Sequence, residues 1–173
     1  MPADQRGPGP LSDPEFLAGL RPVPSTLPGH PAPWPAVDID GVDPDGMRAE
    51  VRLDEVREPL LLAFLAVRCD GCEAFWDGLG PDGPLVGSSP LRVVVVTRGP
   101  STVDPVAVGR LAERRGLEVV MSDRAWEGYR VSGYPFFVLV DPSARTVVGE
   151  AVAFGLEDVS ALVGGGGGRG PAG

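Results

Sequence analysis

Two amino acids are missing from the 173 residues of this chain, which contains neither lysine nor asparagine. All 15 basic residues are therefore arginine, against 24 acidic residues, and the formal net charge is -9. Because glycine, proline, alanine and arginine abound, we interpret the missing types as the codon bias of a GC-rich genome. The shortage of positive charge argues against a nucleic-acid partner and against anionic membranes, since both are recognised through clustered basic residues.

Long apolar runs are also missing. The longest run, residues 60–67, is far shorter than the roughly 20 residues that a membrane-spanning helix needs. Residues 1–6 lead into no apolar segment of signal-peptide length. We therefore expect no membrane segment and a cytoplasmic protein. With 43% hydrophobic residues, the chain is long enough for one folded domain with its own core.

Cysteine and histidine are scarce, with two cysteines and one histidine in the chain. Cys69 and Cys72 are separated by two residues, whereas His30 lies in a proline-rich segment. Because zinc needs about four ligands, we expect no metal site and interpret His30 as an exposed spacer. In a reducing compartment an isolated Cys-x-x-Cys pair indicates redox chemistry or metal binding rather than a structural disulfide.

Proline is concentrated at one end, since ten of the 20 prolines fall within residues 1–35. Proline fixes φ and removes amide donors, so we predict an extended N-terminal arm without sheet or long helix. Residues 13–20 are the exception, because Asp13 followed by Pro14 signals the start of a short helix. Residues 164–173 are predicted to be a glycine-rich flexible tail.

Residues 36–163 alternate between strand and helix patterns. The predicted hairpins are residues 37–53, around a Pro-Asp-Gly turn, and residues 131–150. Apolar runs predict buried strands at residues 60–67, 91–97 and 117–121. The predicted helices are residues 72–79, 104–116, 123–129 and 156–163. The fold class is therefore α/β, a three-layer sandwich with a mixed central sheet, helices on both faces and an N-terminal β-hairpin extension.

The cysteine pair directly follows the central apolar run. If a strand leads into the pair and a helix begins at it, Cys69 lies exposed at a helix N-terminus, where unpaired N–H groups favour a thiolate. Cys72 then follows one helical turn later, so that the two sulfur atoms can meet. This geometry is typical of thiol–disulfide chemistry.

Four features in this order resemble the thioredoxin fold, and within it the TlpA/ResA-type thiol–disulfide oxidoreductases. They are the hairpin strand 47–53, the strand leading into the cysteine pair, the segment 129–135 before strand 136–140, and the turn within residues 141–148. The resemblance covers residues 36–163. It implies that Cys69 is the nucleophile, that Cys72 is a more buried resolving thiol, and that Pro135 is a cis-proline beside them.

Five residues are assigned to substrate binding or support: Pro135, Tyr134, Arg68, Asp70 and Gly71. An aromatic residue before proline favours the cis isomer, and the alternative is a trans proline at the start of an edge strand. A cis-proline of this family leaves the backbone of the preceding residue, here Tyr134, free to pair with a bound peptide.

Three positions depart from the family. Arg68 replaces the usual tryptophan before the nucleophile, and its charge favours the Cys69 thiolate while Asp70 opposes it. Ala63 occupies the position where thioredoxins carry a buried acid that helps to deprotonate the resolving thiol. The residues between the cysteines lack the proline that tends to make thioredoxins reducing. Asp70 or Glu73 could transfer the proton instead, although both also fit solvated acids at a helix start.

The aromatic residues near the pair have two interpretations. Phe75 and Trp76 either form an apolar rim for substrate or pack the helix, and we favour packing. Trp126 and Tyr129 are interpreted as core and rim residues of their short helix. Arginines 110, 114 and 115 fit a solvated helix face rather than a binding patch.

The sequence thus predicts a thiol–disulfide oxidoreductase acting on protein or small-molecule disulfides, with an electron donor or acceptor as partner and no bound cofactor. One alternative is a non-catalytic thioredoxin-fold binding or scaffold protein, in which the cysteines are not turned over. A second is a peroxiredoxin-like peroxidase, although the Pro-x-x-x-Thr/Ser-x-x-Cys approach of that family is absent. Relatives of the TlpA/ResA type are often exported, so the cytoplasmic expectation rests on the missing export signal.

Overall fold

The computed structural model describes residues 33–85 and 90–166. The predicted helix at residues 13–20, His30 and most of the predicted arm and tail lie outside these residues. The elements in chain order are β1 (Trp34–Pro35), β2 (Ile39–Val42), β3 (Arg48–Val51), β4 (Leu60–Phe64), α1 (Cys72–Gly78), β5 (Arg92–Thr97), α2 (Pro105–Glu113), β6 (Glu118–Met121), α3 (Asp123–Gly128), β7 (Phe136–Asp141), β8 (Thr146–Val152) and α4 (Leu156–Gly166).

All eight strands form one mixed sheet in the order β1-β8-β7-β4-β5-β6-β2-β3. Strands β4, β5 and β6 are parallel, whereas β7 is antiparallel to β4 and β8 is antiparallel to β7. The β2–β3 hairpin joins the sheet through β6. This arrangement confirms the predicted α/β class with a mixed central sheet and an N-terminal hairpin.

Strand β4 lies at the centre of the molecule, and all five of its residues are buried. Its side chains alternate between two core clusters, with Phe64 in one cluster and Ala63 in the other. Helix α3 packs on the first cluster, and helices α1, α2 and α4 supply residues to the second. A continuous apolar run is what a strand covered on both faces requires, and the structure confirms that interpretation.

Local sequence signals set several element boundaries. Asp104 caps α2 by accepting a hydrogen bond from the backbone N–H of Val106 at 3.0 Å, and Pro105 takes the first helical position. Ser122 caps α3 by accepting from the N–H of Ala125 at 3.1 Å. Helix α4 continues to Gly166, three residues beyond its predicted end at residue 163.

The N-terminal arm required a correction. We predicted no sheet within residues 1–35, but Trp34 and Pro35 form β1 and pair with Val147 and Thr146 of β8. Proline is tolerated there because β1 is an outer strand of the sheet, where a missing N–H costs no ladder bond. The Trp34 indole N–H donates a hydrogen bond to Glu150 at 3.3 Å. Tertiary contacts of this kind cannot be predicted from the proline content of a segment.

Two partly buried hydrogen bonds hold the segment that precedes β2. Asp38 accepts a hydrogen bond from the backbone N–H of Leu53 at 3.0 Å, which holds the pKa of its carboxyl below the usual value, and the neighbouring Arg145 and Arg52 act in the same direction. The hydroxyl of Tyr129 donates to the carbonyl of Val37 at 2.6 Å. Burial raises the pKa of Tyr129 to about 12.

We predict that Tyr129→Phe changes how stability responds to alkaline pH. Tyrosine in an unfolded chain ionises near pH 10, so the unfolded wild type loses this proton before the folded protein does. The contribution of Tyr129 is therefore complete below about pH 10 and is lost as pH rises towards 12. The variant should be less stable by about 1 kcal/mol at pH 8, and this difference should shrink above pH 10.

Urea denaturation followed by circular dichroism between pH 8 and 11 measures this difference. Tyr134, the only other tyrosine, is half exposed and provides the matched control. Tyr134→Phe should keep the alkaline decline of the wild type. A constant difference between wild type and Tyr129→Phe across this range would contradict the prediction.

Among the residues that the structure describes, no helix is both long and apolar enough to cross a membrane.

Candidate active site at the Cys69–Cys72 pair

Three loops meet at one end of the sheet. Phe64, the last residue of β4, pairs with Phe136 at the start of β7, and Phe136 pairs with Val152 at the end of β8. The cysteine loop after β4, the segment before β7 and the loop before α4 therefore all lie beyond this row of residues. This register brings Cys69, Pro135 and Phe154 to the same end of the sheet.

The structure joins Cys69 and Cys72 in a disulfide, with their Cα atoms 5.3 Å apart. Cys72 is only 1% exposed, whereas Cys69 is partly exposed. The backbone N–H of Cys72 donates to the carbonyl of Cys69 at 3.1 Å, which closes a tight turn between them. The two sulfur atoms thus face different surroundings, as the sequence predicted.

Helix α1 begins at Cys72, as predicted, so Cys69 lies in the loop before the helix. The residue before the helix, Gly71, has φ 89°, a left-handed conformation that glycine adopts without strain. This conformation interrupts the chain between the cysteines, so the helix cannot extend back to Cys69. The expected stabilisation of a Cys69 thiolate by the free N–H groups of the first helical turn stays a prediction.

Cys72 lies in an apolar cluster. Ala63 is fully buried in the same cluster, as are Phe75 and Trp76 from α1. The Phe75 ring lies 5.0 Å from that of Phe137, and the Trp76 indole N–H donates to the carbonyl of Ala66 at 3.0 Å. These contacts confirm that Phe75 and Trp76 are core residues. Ala63 itself carries no ionisable group that could serve as a base for Cys72.

Charged residues surround the more exposed cysteine. Arg68, Asp70 and Glu73 are exposed, as is Gly71, and the three charged side chains line a surface groove that also contains Cys69. Leu111 of α2 borders the same groove. A substrate that reaches Cys69 through this groove thus meets one positive and two negative side chains.

The segment before β7 supplies the second side of the site. The Tyr134–Pro135 peptide bond is cis, and Tyr134 is 50% exposed. The Tyr134 ring packs edge-on against Trp126, with 6.1 Å between centroids, and Trp126 in turn packs on Phe64 at 5.5 Å. Trp126 and Tyr129 are buried, so both belong to the core.

Three residues that the sequence reasoning did not assign to the site lie at the same end of the sheet. Arg98 follows β5, and its guanidinium lies 4.5 Å from the centre of the Trp126 ring. Phe154 is 67% exposed, and Asp158 accepts hydrogen bonds from the backbone N–H groups of Phe154 and Gly155. An acid at the third position of a helix is a recognisable capping signal, whereas the exposure of Phe154 leaves no trace in the sequence.

No group of three or more histidine, cysteine, aspartate or glutamate side chains within residues 33–85 and 90–166 is arranged to hold a metal ion.

Comparison with known proteins gave matches only among solved structures. Neither a protein-family model nor a curated protein matches the chain. A thioredoxin-like protein from Aeropyrum pernix is 16% identical and has a TM-score of 0.59, covering 74% of this chain and 89% of its own. A thiol:disulfide interchange protein of the thioredoxin family from Chlorobium tepidum is 19% identical with a TM-score of 0.55, covering 81% of this chain and 100% of its own.

A third similar structure is a secreted disulfide oxidoreductase from Mycobacterium tuberculosis. It is 17% identical with a TM-score of 0.53, and the match covers 73% of this chain and 95% of the other. Identities this low are informative about fold. Together with the sheet order and the helices on both faces, these similarities show that the chain has the thioredoxin-like fold.

Proposed function

We propose that the protein is a thiol–disulfide oxidoreductase, with Cys69 as the nucleophile and Cys72 as the resolving thiol. The observation that carries this proposal is the unequal exposure of two bonded cysteines, one partly exposed beside a groove and the other 1% exposed in the core. Two structurally similar proteins, an interchange protein and a disulfide oxidoreductase, support it.

The exchange begins from the reduced protein. The Cys69 thiolate attacks one sulfur of a substrate disulfide, forms a mixed disulfide and releases the other substrate sulfur as a thiolate. The Cys72 thiolate then attacks the Cys69 sulfur, restores the Cys69–Cys72 disulfide and releases the second substrate thiolate. Two electrons pass from the protein to the substrate, and a dithiol donor returns them to the cysteine pair.

Geometry assigns different tasks to the two cysteines. Cys69 can meet a substrate because part of it is exposed, whereas Cys72 reaches only the sulfur of Cys69, across 5.3 Å between Cα atoms. The left-handed Gly71 makes the tight turn that brings them together. Exchange thus needs no side chain to move out of the core.

In this proposal, the remaining predicted residues bind the substrate or change the stability of the Cys69 thiolate. Tyr134 offers its backbone, next to the cis Pro135, to an extended segment of the substrate. Arg68 and Asp70 have opposite effects on the stability of the Cys69 thiolate, because a cation favours the thiolate and an anion disfavours it.

The test is the reduction of insulin disulfides by dithiothreitol, followed as insulin precipitation. We expect the wild type to accelerate precipitation and the Cys69→Ser variant to match the rate without protein. The variant changes one partly exposed atom, so its folding can be checked by circular dichroism. Equal rates for wild type and Cys69→Ser would refute the enzymatic proposal.

A further inference from the structure

We propose that the preferred substrate is a small zwitterionic disulfide of the cystine type, with a carboxylate and an ammonium group close to the reacting sulfur. This inference rests on the function proposed above and names its substrate class. It is carried by three charged side chains of opposite sign that surround Cys69, namely Arg68, Asp70 and Glu73.

These three side chains lie close to the reacting sulfur in the chain. Arg68 and Asp70 are the neighbours of Cys69 on either side, with their Cα atoms about 3.8 Å from its own. Glu73 lies in the first turn of α1, directly after Cys72. All three are exposed and line the same groove as Cys69, which has a volume of about 490 Å³. A molecule in this groove therefore meets both signs of charge beside the sulfur with which it reacts.

The three charges are left free by the rest of the fold. Within residues 33–85 and 90–166, the side chains of Arg68, Asp70 and Glu73 form no hydrogen bond and no ion pair. Opposite charges that share a groove without bonding to each other remain available to a ligand. A carboxylate of the ligand can bind the guanidinium of Arg68, and an ammonium group can bind the carboxylates of the two acids.

The position of the charges selects the substrate. In cystine, the carboxylate and the ammonium group are both attached to the carbon two bonds from the sulfur. A cysteine inside a polypeptide, or inside glutathione, has these two groups in uncharged amide bonds. A free amino-acid disulfide therefore presents both charges beside the sulfur that Cys69 attacks, whereas a polypeptide must supply them from neighbouring side chains.

Exchange with cystine takes two electrons from the cysteine pair. The Cys69 thiolate attacks one sulfur of cystine, forms a mixed disulfide with one cysteine molecule and releases the other as a thiolate. The Cys72 thiolate then attacks the Cys69 sulfur, which restores the protein disulfide and releases the second cysteine molecule. The dithiol donor of the proposed function returns both electrons to the protein.

The experiment measures the second-order rate constant with which four disulfides oxidise the reduced protein. They are cystine, cystamine without the carboxylates, dithiodipropionate without the ammonium groups, and cystine with both groups blocked as amides. Free thiols are counted after acid quenching, and each rate is divided by that of the same disulfide with dithiothreitol. At low salt the wild type should prefer cystine over blocked cystine roughly tenfold, since two exposed ion pairs contribute about threefold each. This preference should fall at about 1 M salt.

Variants separate the two kinds of charge. Arg68→Gln should lower the cystine-to-cystamine ratio roughly threefold, and the double variant Asp70→Asn with Glu73→Gln should lower the cystine-to-dithiodipropionate ratio by about as much. Ratios are compared because a change in the stability of the Cys69 thiolate shifts the rates with all four disulfides together. Arg57→Gln is the matched control and should keep the wild-type ratios, because the exposed Arg57 precedes β4 whereas Arg68 follows this strand.

Three outcomes would overturn this inference. They are equal wild-type rates with cystine and blocked cystine, ratios that Arg68→Gln and the double variant leave unchanged, or the same loss of preference in Arg57→Gln. The first of these would make polypeptides the substrate class. A wild type that reduces insulin but shows no preference for cystine overturns this inference alone. A wild type that reduces neither insulin nor any of the four disulfides would instead refute the proposed function.

Discussion

A Cys72→Ser variant is expected to stop halfway through the exchange, as a stable mixed disulfide between Cys69 and the substrate. Cys69 remains partly exposed in this variant and can still attack, but no second thiol is available to release the product. We expect about one covalent adduct per chain with a disulfide-containing peptide. Cys69→Ser should form no adduct, because the remaining thiol, Cys72, is 1% exposed.

Mass spectrometry after acid quenching counts these adducts directly. The two variants form a matched pair, since each removes one sulfur from the same turn and leaves one thiol. Adducts of equal yield in both variants would show that the cysteines are interchangeable, and the assignment of nucleophile and resolving thiol would fail. Reversal of the adduct by dithiothreitol is the control that identifies it as a disulfide.

The interior of the fold was predictable because it follows from local patterns. The continuous apolar run became the buried central strand β4, and the capping signals at Asp104 and Ser122 became the starts of α2 and α3. In each case the local residues determine the element. An apolar run suits a strand that is buried on both faces, and a side-chain oxygen at the N-cap accepts a backbone hydrogen bond at the helix start.

One feature of the chain depends on distant contacts and could not be predicted in this way. Trp34 joins the sheet because residues of β8, more than a hundred positions later, supply its backbone partner and accept the hydrogen bond of its indole. A proline-rich composition indicates an extended chain but does not say what the chain lies against. The end of the predicted arm is therefore part of the folded domain.

The residues of the candidate site could be named from the sequence, whereas the backbone conformation between the two cysteines could not. The spacing of Cys69 and Cys72 and the Tyr134–Pro135 pair indicated which residues meet, and sheet register brings them to one end. The start of α1 at Cys72 agrees with the prediction, and the left-handed backbone conformation of Gly71 separates the helix from Cys69. Phe154 was missed because exposure depends on what the rest of the fold leaves uncovered.

Ala63→Asp should destabilise the protein strongly while restoring a base near Cys72. Ala63 is fully buried in the apolar cluster of Cys72, so an ionised carboxyl there should cost about 4 kcal/mol at pH 7. The folded state would favour the neutral carboxyl, so stability falls as pH rises above about 4, where aspartate ionises in the unfolded chain. Ala63→Asn carries the same size and polarity without the charge, and its stability should not follow this pH dependence.

The same pair of variants tests the second step of the exchange. Thioredoxins, which this chain resembles, carry a buried acid at this position, and a base that accepts the Cys72 proton should accelerate attack on the mixed disulfide. In single-turnover experiments at pH 7, we expect product release roughly tenfold faster or more in Ala63→Asp than in Ala63→Asn. Both variants are compared at a temperature where circular dichroism shows them folded. Equal release rates would mean that proton removal from Cys72 does not limit the exchange. The apolar surroundings of this thiol would then not slow the second step.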